Sequence, residues 1–574
     1  MEPRRIALAV VLMAAVLILT PYLFPTPKPQ PGSTPVAADT LRDSLRDTTA
    51  AAAAARLGAG AATNPATGAT AGSTGGVAGD SLAPAAVAVD TTVVKTALAD
   101  YRTSNRGASL VGATMTRYQA LSNKGRTRGG PVELASSGDR LLTFRLVVPG
   151  DTIALDKQIF RTTESTTGDV STVRYETELA AAAGAARQVS ITYSFLPDSY
   201  RVNVAATVSG VPDNSFLLID LPHAFRSSEA DTAEDHNHLA YAYKPELSGA
   251  KGVTFRSLDP GERRIEPGPI TWAVAKNKYF ILGVLAPKGG ANFAEANFTG
   301  GPRVAKVATR SEGTLLASLK SGTVAFEMYV GPQEFKRLVA MGREFETSNP
   351  YGGWIQGLVQ PFATMVIRLL LWMKATLGVS YGWILVIFGI AVRVILWPLN
   401  QKAMRSSMAM QRIQPELQAI QARYKGDPQK LQAAMMQVYK EHGMSPFSSL
   451  SGCLPMLIPL PVFFALFFVF QNTIEFRGVP FLWFPDISVK DPYYIIPILV
   501  AITALVLSWI GMRGIKANEQ QKMMMYLMPA MMLIFFFNIA SGLNLYYFIQ
   551  NLASLPQQWL ISRERTRAAP LVRG

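Results

Sequence analysis

Residues 381–399 read YGWILVIFGIAVRVILWPL, an apolar stretch interrupted by a single charged side chain, Arg393. As a helix this stretch is about 28 Å long, which is enough to cross the hydrocarbon core of a bilayer. Further apolar stretches lie at 354–378, 453–471, 493–510, 523–537 and 543–560. The C-terminal half is therefore predicted to be a multi-pass α-helical membrane protein.

The basic residues indicate which loops face the cytoplasm. Loop 400–449 has seven Lys and Arg residues, loop 511–522 has three and the tail 561–574 has four. Loop 472–492 has two basic residues against three acidic ones. Because cytoplasmic loops are enriched in Lys and Arg, loops 400–449 and 511–522 and the tail are predicted to lie inside and loop 472–492 outside. Five spans satisfy this arrangement, at about 381–399, 453–471, 493–510, 523–537 and 543–560.

The apolar stretch 354–378 does not fit as another span, because it would place the basic loop 400–449 outside the cytoplasm. Its polar side chains recur at every fourth position, which puts them on one stripe of a helix. These are Gln356, Gln360, Thr364 and Arg368. Segment 341–379 is predicted to hold an amphipathic helix lying on the outer membrane surface.

The N-terminal segment 1–24 contains another apolar stretch, Ile6–Phe24, which follows two arginines. A cleavable signal peptide is the alternative interpretation, but no small residues mark a cleavage site. We interpret 1–24 as a transmembrane anchor with a cytoplasmic N-terminus. Residues 25–90 are rich in Ala, Thr, Gly and Pro and contain no aromatic residue. That composition predicts a disordered linker.

Residues 91–340 have the pattern of a β-rich domain. The stretches 189–195, 200–208 and 322–330 alternate or carry β-branched residues and are bounded by turn formers. An extracytoplasmic β-sandwich is the predicted fold. The segment Glu234–His238 reads EDHNH; it is either polar loop or, with His-x-His on a strand, a metal site.

Loop 400–449 is predicted to contain a helical hairpin over 402–443. Apolar residues recur at near-helical spacing up to Tyr424, with a bend expected at Pro415. Asp427 is a suitable N-cap and Pro428 a suitable first residue for the second helix. Its Met-rich face is either the small core of the hairpin or a docking surface. The candidate residues of the hairpin are Met404, Met408, Arg412, Tyr424, Lys425, Asp427, Met435 and Met436.

Arg393 is the exceptional residue of the membrane region. No Asp or Glu occurs between 356 and 410 or inside the last three spans, which excludes an intramembrane aspartyl protease and argues against a carboxylate proton relay. Arg393 either snorkels to the cytoplasmic interface or lines a water-filled groove open to the cytoplasm. Polar residues of other spans are candidates for the same groove: Gln471, Ser508, Asn544, Tyr547, Gln550 and Asn551.

The composition and the absence of known motifs exclude several kinds of binding and catalytic site. The net charge of +15 is consistent with membrane topology, because much of the excess lies in the loops and tail of the C-terminal half, so no nucleic-acid binding is expected. A single Cys rules out an intramolecular disulfide. No nucleotide-binding or hydrolase motif occurs, and no metal or cofactor is expected.

Several ordered motifs resemble the YidC family of membrane protein insertases, in its Gram-negative form with a large periplasmic domain. They are the run Ile413–Met444, CLP at 453–455, PVFFAL at 461–466, DPYYIIP at 491–497 and SGLNLYY at 541–547. The resemblance implies an inner-membrane protein that is not an enzyme, uses no cofactor and inserts and folds other membrane proteins. It also implies a hydrophilic groove open to the cytoplasm.

The family pattern assigns roles to individual residues and partners. Arg393 is similar to the groove arginine, Tyr547 to the substrate-contacting tyrosine, and Gly389 stands where the family has a groove threonine. The implied partners are nascent membrane proteins, the Sec translocon, the lipid bilayer, the ribosome and signal-recognition targeting components. The implied insertase core is 380–562, followed by a basic tail, 563–574. Both termini are expected in the cytoplasm and residues 25–379 in the periplasm.

Two other function classes are compatible with parts of the sequence. A transporter or channel also places polar groups in a helical bundle, but it usually has internal repeats and ionisable coupling sites, which are not seen. A scaffold with a β-sandwich binding module is the second alternative. Neither explains a cytoplasmic hairpin beside an intramembrane arginine that has no carboxylate partner.

Overall fold

The computed structural model describes most of the chain beyond the predicted linker. The described residues are 88–122, 127–180, 186–304, 307–350, 356–424, 426–442, 460–513 and 519–568. The predicted anchor 1–24 and nearly all of the linker 25–90 lie outside them. Residues 79–148 and 152–574 form one unit, which contains all of the described residues except 149–151.

The described residues between Thr91 and Pro332 form a β-rich domain. Its strands are β1 Thr91–Lys95, β2 Ala99–Ser104, β3 Ser109–Ser122, β4 Thr127–Glu133, β5 Thr143–Val148, β6 Asp151–Ala154, β7 Arg161–Thr167, β8 Val170–Leu179, β9 Arg187–Phe195, β10 Arg201–Val208, β11 Phe216–Asp220, β12 Ala240–Pro245, β13 Lys251–Thr254, β14 Arg263–Lys276, β15 Phe280–Leu285, β16 Phe293–Gly300, β17 Arg303–Val304, β18 Val307–Ala308, β19 Ser311–Ser318 and β20 Thr323–Pro332.

The strands form three sheets, the smallest of which is the antiparallel pair β17 and β18. Strands β1 to β4 make a four-stranded sheet in chain order. The large sheet has the order β6-β5-β11-β19-β16-β14-β15-β20-β10-β9-β8-β7, with β12 and β13 added beside β14. Strand β20 pairs antiparallel with both β10 and β15. The last strand of the domain therefore joins the meander β7–β10 to the rest of the sheet.

The four-stranded sheet and the large sheet contribute to one hydrophobic core. In β10, every second residue is buried, as the alternating sequence predicts. Tyr101 of β2 packs on Phe195 of β9 with ring centroids 5.0 Å apart. The Tyr175 hydroxyl of β8 donates to Thr103 of β2 at 2.7 Å. The prediction of a β-rich domain is confirmed, and the strands predicted at 189–195, 200–208 and 322–330 coincide with β9, β10 and β20.

The EDHNH segment is neither strand nor solvated loop. It forms a short helix, α1 (Thr232–Asn237), and His238 caps its C-terminal end, with Nδ1 2.8 Å from the Glu234 carbonyl. The premise of the metal-site alternative, two histidines on one strand face, is therefore wrong. Asp235 is buried and accepts a hydrogen bond from the Lys278 backbone N–H at 3.2 Å. Among the described residues no cluster of three or more metal-binding side chains occurs.

Helices make up the rest of the described chain. They are α2 Phe335–Met341, α3 Gln356–Leu377, α4 Tyr381–Arg423, α5 Pro428–Glu441, α6 Leu460–Asn472, α7 Ile495–Met512, α8 Glu519–Phe536 and α9 Ser541–Ala568. Within the described segments, Tyr381–Lys402 of α4 and Ile495–Met512 of α7 are long and apolar enough to cross a bilayer, and Met525–Phe536 is a shorter apolar helix. The number of five spans stays a prediction.

Helix α4 differs from the predicted division of the chain. The sequence pattern suggested a span at 381–399 and a separate helix beginning near 402. The structure has one continuous helix from Tyr381 to Arg423. Proline restricts a helix locally but does not always end it, and here the helix passes through Pro398 and Pro415. The apolar part of α4 and the first arm of the hairpin are therefore parts of one continuous helix.

Helices α3, α4, α6, α7, α8 and α9 share a second hydrophobic core. Large apolar side chains also remain exposed on the outside of these helices. Examples are Trp372, Trp383, Ile395, Trp509 and Ile534. Exposed apolar side chains in this number are expected for helices surrounded by lipid.

The loop between α6 and α7 attaches the helices to the β-rich domain through buried charges. Arg477 Nε donates to Glu229 Oε1 at 2.8 Å, and the two side chains are only 4% and 7% exposed. The guanidinium also lies 5.8 Å from the ring centroids of Tyr279 and Phe280. The Tyr279 hydroxyl donates to Ser488 Oγ at 3.0 Å. Removing one partner of such a desolvated pair costs about 3–5 kcal/mol, so the contact fixes the junction.

Glu475 lies in the same loop. Its Oε1 accepts a hydrogen bond at 2.9 Å from the backbone N–H of Phe335, which is the first residue of α2. Its Oε2 is buried and has no hydrogen-bond partner among the described residues. Burial raises the pKa of Glu475 from its ordinary value of 4.5 to about 7. The folded junction therefore favours the protonated carboxyl.

We predict that Glu475→Gln reduces the loss of stability that occurs as the pH rises from 5.5 to 8. Because the folded pKa lies above the unfolded one, the stabilisation is complete below pH 4.5 and is lost as pH rises through 7. The full difference corresponds to about 3 kcal/mol. Thermal unfolding in detergent should fall less between pH 5.5 and 8 for the variant than for the wild type. Exposed Glu246→Gln is the control, and an unchanged pH dependence in Glu475→Gln would contradict the assignment.

Candidate functional site

The candidate site lies where α4 packs against α9. Gly389, Arg393 and Trp397 are spaced by four residues and so lie on one face of α4. Gly389 has no side chain, and a Cβ atom there would come within 3.1 Å of Ile549 Cγ2 in α9. The Gly389 carbonyl accepts a hydrogen bond from Gln550 Nε2 at 3.0 Å. The two helices are therefore in direct contact at Gly389.

Gln557 of α9 connects two groups of α4. Its Oε1 accepts a hydrogen bond from Arg393 Nη2, and its Nε2 donates to the Trp397 carbonyl at 3.1 Å. Its side chain is only 1% exposed. We call the set Gly389, Arg393, Trp397, Gln550 and Gln557 the α4–α9 seam.

Arg393 keeps its positive charge without an ion pair among the described residues. Its acceptor in the seam is a neutral amide, and its Nε is buried without a hydrogen-bond partner in the described structure. No carboxylate occurs in any predicted span. A guanidinium held by neutral groups in apolar surroundings attracts anions and water strongly. The seam can therefore stabilise an acidic or polar group that passes beside it.

The other predicted groove residues of α9 face different neighbours. Tyr547 packs edge-on against Phe463 of α6 at 5.3 Å and lies 5.1 Å from Phe536 of α8, measured between ring centroids. Asn551 Nδ2 donates to Thr503 Oγ1 of α7 at 3.1 Å. Of the predicted residues whose side chains the structure describes, Gln550 is the one with a hydrogen bond to α4, at the Gly389 carbonyl.

Asn544 does not line an accessible surface. Its side chain is completely buried, and Nδ2 donates to the Phe536 carbonyl at 3.0 Å, which satisfies the end of α8. Ser508 is partly buried in α7. Gln471 belongs to α6, but its side chain lies outside the described residues. Asn544 is therefore not part of the seam.

Gln557 was not among the residues singled out from the sequence. It lies in the predicted span 543–560, seven residues after Gln550. Seven residues are about two helical turns, so both amides lie on one face of α9. A polar residue inside a span at that spacing was the signal that could have identified it.

The hairpin predicted over 402–443 consists of the second half of α4 and α5. Its small core contains Ile413, Leu417, Val438 and Tyr439. The N-cap prediction is confirmed, because Asp427 Oδ1 accepts from the Lys430 backbone N–H at 3.1 Å and Pro428 begins α5.

The candidate hairpin residues are partly exposed where their side chains are described. Met435 packs beside the small core, while Met404, Tyr424 and Met436 are partly buried. Lys425 and the side chains of Met408 and Arg412 lie outside the described residues. The small core of the hairpin therefore covers only part of its Met-rich face. At its base, Arg405 Nη2 lies 3.7 Å from Glu564 Oε2 of α9.

Comparison with known proteins places both halves of the chain. Residues 372–568 match the family described as 60Kd inner membrane protein, and residues 87–365 match the YidC periplasmic domain. The chain is 30% identical over 510 residues to the membrane protein insertase YidC of Chlorobaculum tepidum, with 83% of each chain covered. It is 31% identical to that of Chlorobium phaeovibrioides, with 81% of this chain and 82% of the relative covered.

Among solved structures, a crystal structure of an active YidC insertase with its first transmembrane domain resolved is similar to this chain. The two are 19% identical with a TM-score of 0.33, and the alignment covers 82% of this chain and 93% of the other. The curated relatives and the domain matches together establish what the motifs suggested. The chain belongs to the YidC family of membrane protein insertases.

Proposed function

We propose that this protein inserts and folds integral membrane proteins in the inner membrane, and that the α4–α9 seam is the polar wall of a groove open to the cytoplasm. Curated relatives at about 30% identity are named membrane protein insertases. The observation that carries the groove role is the Arg393 charge, held by the neutral amide of Gln557 with no carboxylate in the spans.

The seam acts on the part of a substrate that is costly to move. On the insertion scale an acidic residue at the bilayer centre costs about 3 kcal/mol, whereas a Leu or Ile gains about 0.5 kcal/mol. One acidic group in a translocated segment therefore offsets roughly six apolar side chains. Arg393 lowers that cost by attracting the carboxylate and retaining water around it. The apolar part of the substrate provides the driving force, so no nucleotide is needed.

Tyr547 contacts the apolar part of the substrate in this proposal. It is partly buried among aromatic rings of α6 and α8, next to the helix face that bears the seam. Partly exposed aromatic and apolar side chains offer a passing helix a surface of intermediate polarity. The substrate then moves from the seam, past Tyr547, into lipid.

The proposed topology has the anchor, five spans and both termini in the cytoplasm, with residues 25–379 in the periplasm. The distribution of basic residues supports it. Helix α3 lies on the periplasmic surface in this arrangement. Its first residue supports that placement, since Gln356 Nε2 donates to the Ala250 carbonyl of the β-rich domain at 2.9 Å.

The hairpin receives substrates on the cytoplasmic side in this proposal. Its partly exposed methionines can adapt to different apolar segments. Because the first arm of the hairpin and the seam belong to the same helix α4, a chain bound at the hairpin is led toward Arg393. The protein acts alone or with the Sec translocon, and it receives chains from the ribosome and signal-recognition targeting components.

The topology predicts which sites react with a membrane-impermeant thiol reagent. In a Cys453→Ser background, cysteines placed singly at the exposed residues Ser137, Thr376 and Ala433 separate the alternatives. Reagent added outside intact inner-membrane spheroplasts should modify the cysteines at 137 and 376 but not the one at 433. Modification at 433 but not at 376 would show that α3 spans and would reverse the topology.

The groove role predicts that the charge of Arg393 matters more than its shape. Arg393→Ala should reduce insertion of a substrate with an acidic translocated tail at least fivefold, because the tail loses its attracting charge. Arg393→Lys should stay within about twofold, because Lys keeps the charge and loses only the fork geometry. Protease protection of the tail in vesicles measures insertion.

The matched control is Arg405→Ala, which removes the same charge from an exposed position of the same helix. Thermal unfolding in detergent verifies that each variant is folded. Full insertion by Arg393→Ala at unchanged stability would mean that Arg393 only anchors the helix end at the interface.

A further inference from the structure

We propose that Gln557 is a positioning residue that holds the Arg393 guanidinium in the α4–α9 seam while leaving its charge uncancelled. The inference deepens the proposed function and rests on it. Gln557 is buried, and the hydrogen bonds of its amide go to groups of α4.

The two hydrogen bonds of Gln557 fix the direction of its amide. The oxygen faces a guanidinium, which can only donate, and the nitrogen faces the Trp397 carbonyl, which can only accept. Rotating the amide by half a turn would set donor against donor and acceptor against acceptor. The side chain therefore has one favourable orientation, and that orientation presents an acceptor to Arg393.

The position along α4 adds to this role. Pro398, which follows Trp397, has no N–H, so α4 lacks one backbone hydrogen bond at this level. The bond from Gln557 to the Trp397 carbonyl attaches α4 to α9 at that point. Both ends of the Gln557 amide are hydrogen-bonded to α4. The position of the amide oxygen relative to Arg393 is therefore fixed.

The neutral charge of the amide is as important as its geometry. A carboxylate in its place would also accept from Arg393, but it would form a buried ion pair, because position 557 is only 1% exposed. That pair would cancel the charge that the seam offers to a substrate. Gln is the residue that accepts a hydrogen bond without adding a charge.

The test compares two substrates that differ only in their translocated tails, one acidic and one with Asn and Gln in place of Asp and Glu. Gln557→Glu should reduce insertion of the acidic tail at least fivefold and leave the neutral tail within about twofold. Gln557→Leu, of similar size, should reduce the acidic tail less, because Arg393 keeps its charge but loses its orientation. Protease protection in vesicles is the measurement.

The matched control is Gln558→Glu, which adds the same charge at the next residue of α9. Its Nε2 lies beside Gly511 of α7. The ratio of acidic-tail to neutral-tail insertion should stay at the wild-type value in this control. Equal losses for both tails in Gln557→Glu, or a wild-type ratio, would overturn the positioning role.

A double-mutant comparison separates this inference from the proposed function. In an Arg393→Ala background, Gln557→Leu should change the tail ratio no further, because its effect acts through Arg393. A further loss in that background would also overturn the positioning role. If Arg393→Ala alone does not change the ratio, the groove function itself fails. If it does and Gln557→Glu does not, only the positioning role fails.

Discussion

The hydrogen bond between Arg393 and Gln557 is the interaction on which the rest of the membrane region depends. A guanidinium in an apolar helix must find acceptors, and the spans supply no carboxylate. The acceptor is the Gln557 amide of α9. The absence of a side chain at Gly389 allows α9 to approach α4 closely, where Gln550 donates to the Gly389 carbonyl. The result is a site that keeps its charge, which is what the proposed groove function requires.

The buried contacts of loop 473–491 have a different role, because they attach a large β-rich domain to a helical core. Arg477 and Glu229 form an ion pair with almost no exposure, so the junction has one favourable arrangement. Gln356 continues the attachment into α3. The seam and the junction use charges in opposite ways: the junction cancels its charge to fix a position, and the seam leaves its charge available.

The sequence was sufficient for features that depend on local patterns. Alternation identified β9, β10 and β20, and the Asp427–Pro428 pair located the start of α5. Features that depend on helix rotation and packing could not be obtained in this way. Tyr547, Gln550 and Asn551 are close in sequence but face three different neighbours, and Asn544 is buried as a cap of α8. The spacing of Gln557 from Gln550 could have marked it as a candidate, but only the packed structure shows that its amide meets Arg393 and the Trp397 carbonyl.

The most direct test asks whether a nascent membrane protein contacts the seam. A photo-crosslinking amino acid placed at Gln550, and separately at the exposed Ile502 of α7, is irradiated in vesicles that hold ribosome-stalled substrate chains. The account predicts crosslinks from position 550 to the substrate and few from 502, with those at 550 reduced when Arg393→Ala is combined with an acidic translocated segment. Crosslinks of equal yield at both positions, or at 502 alone, would contradict it.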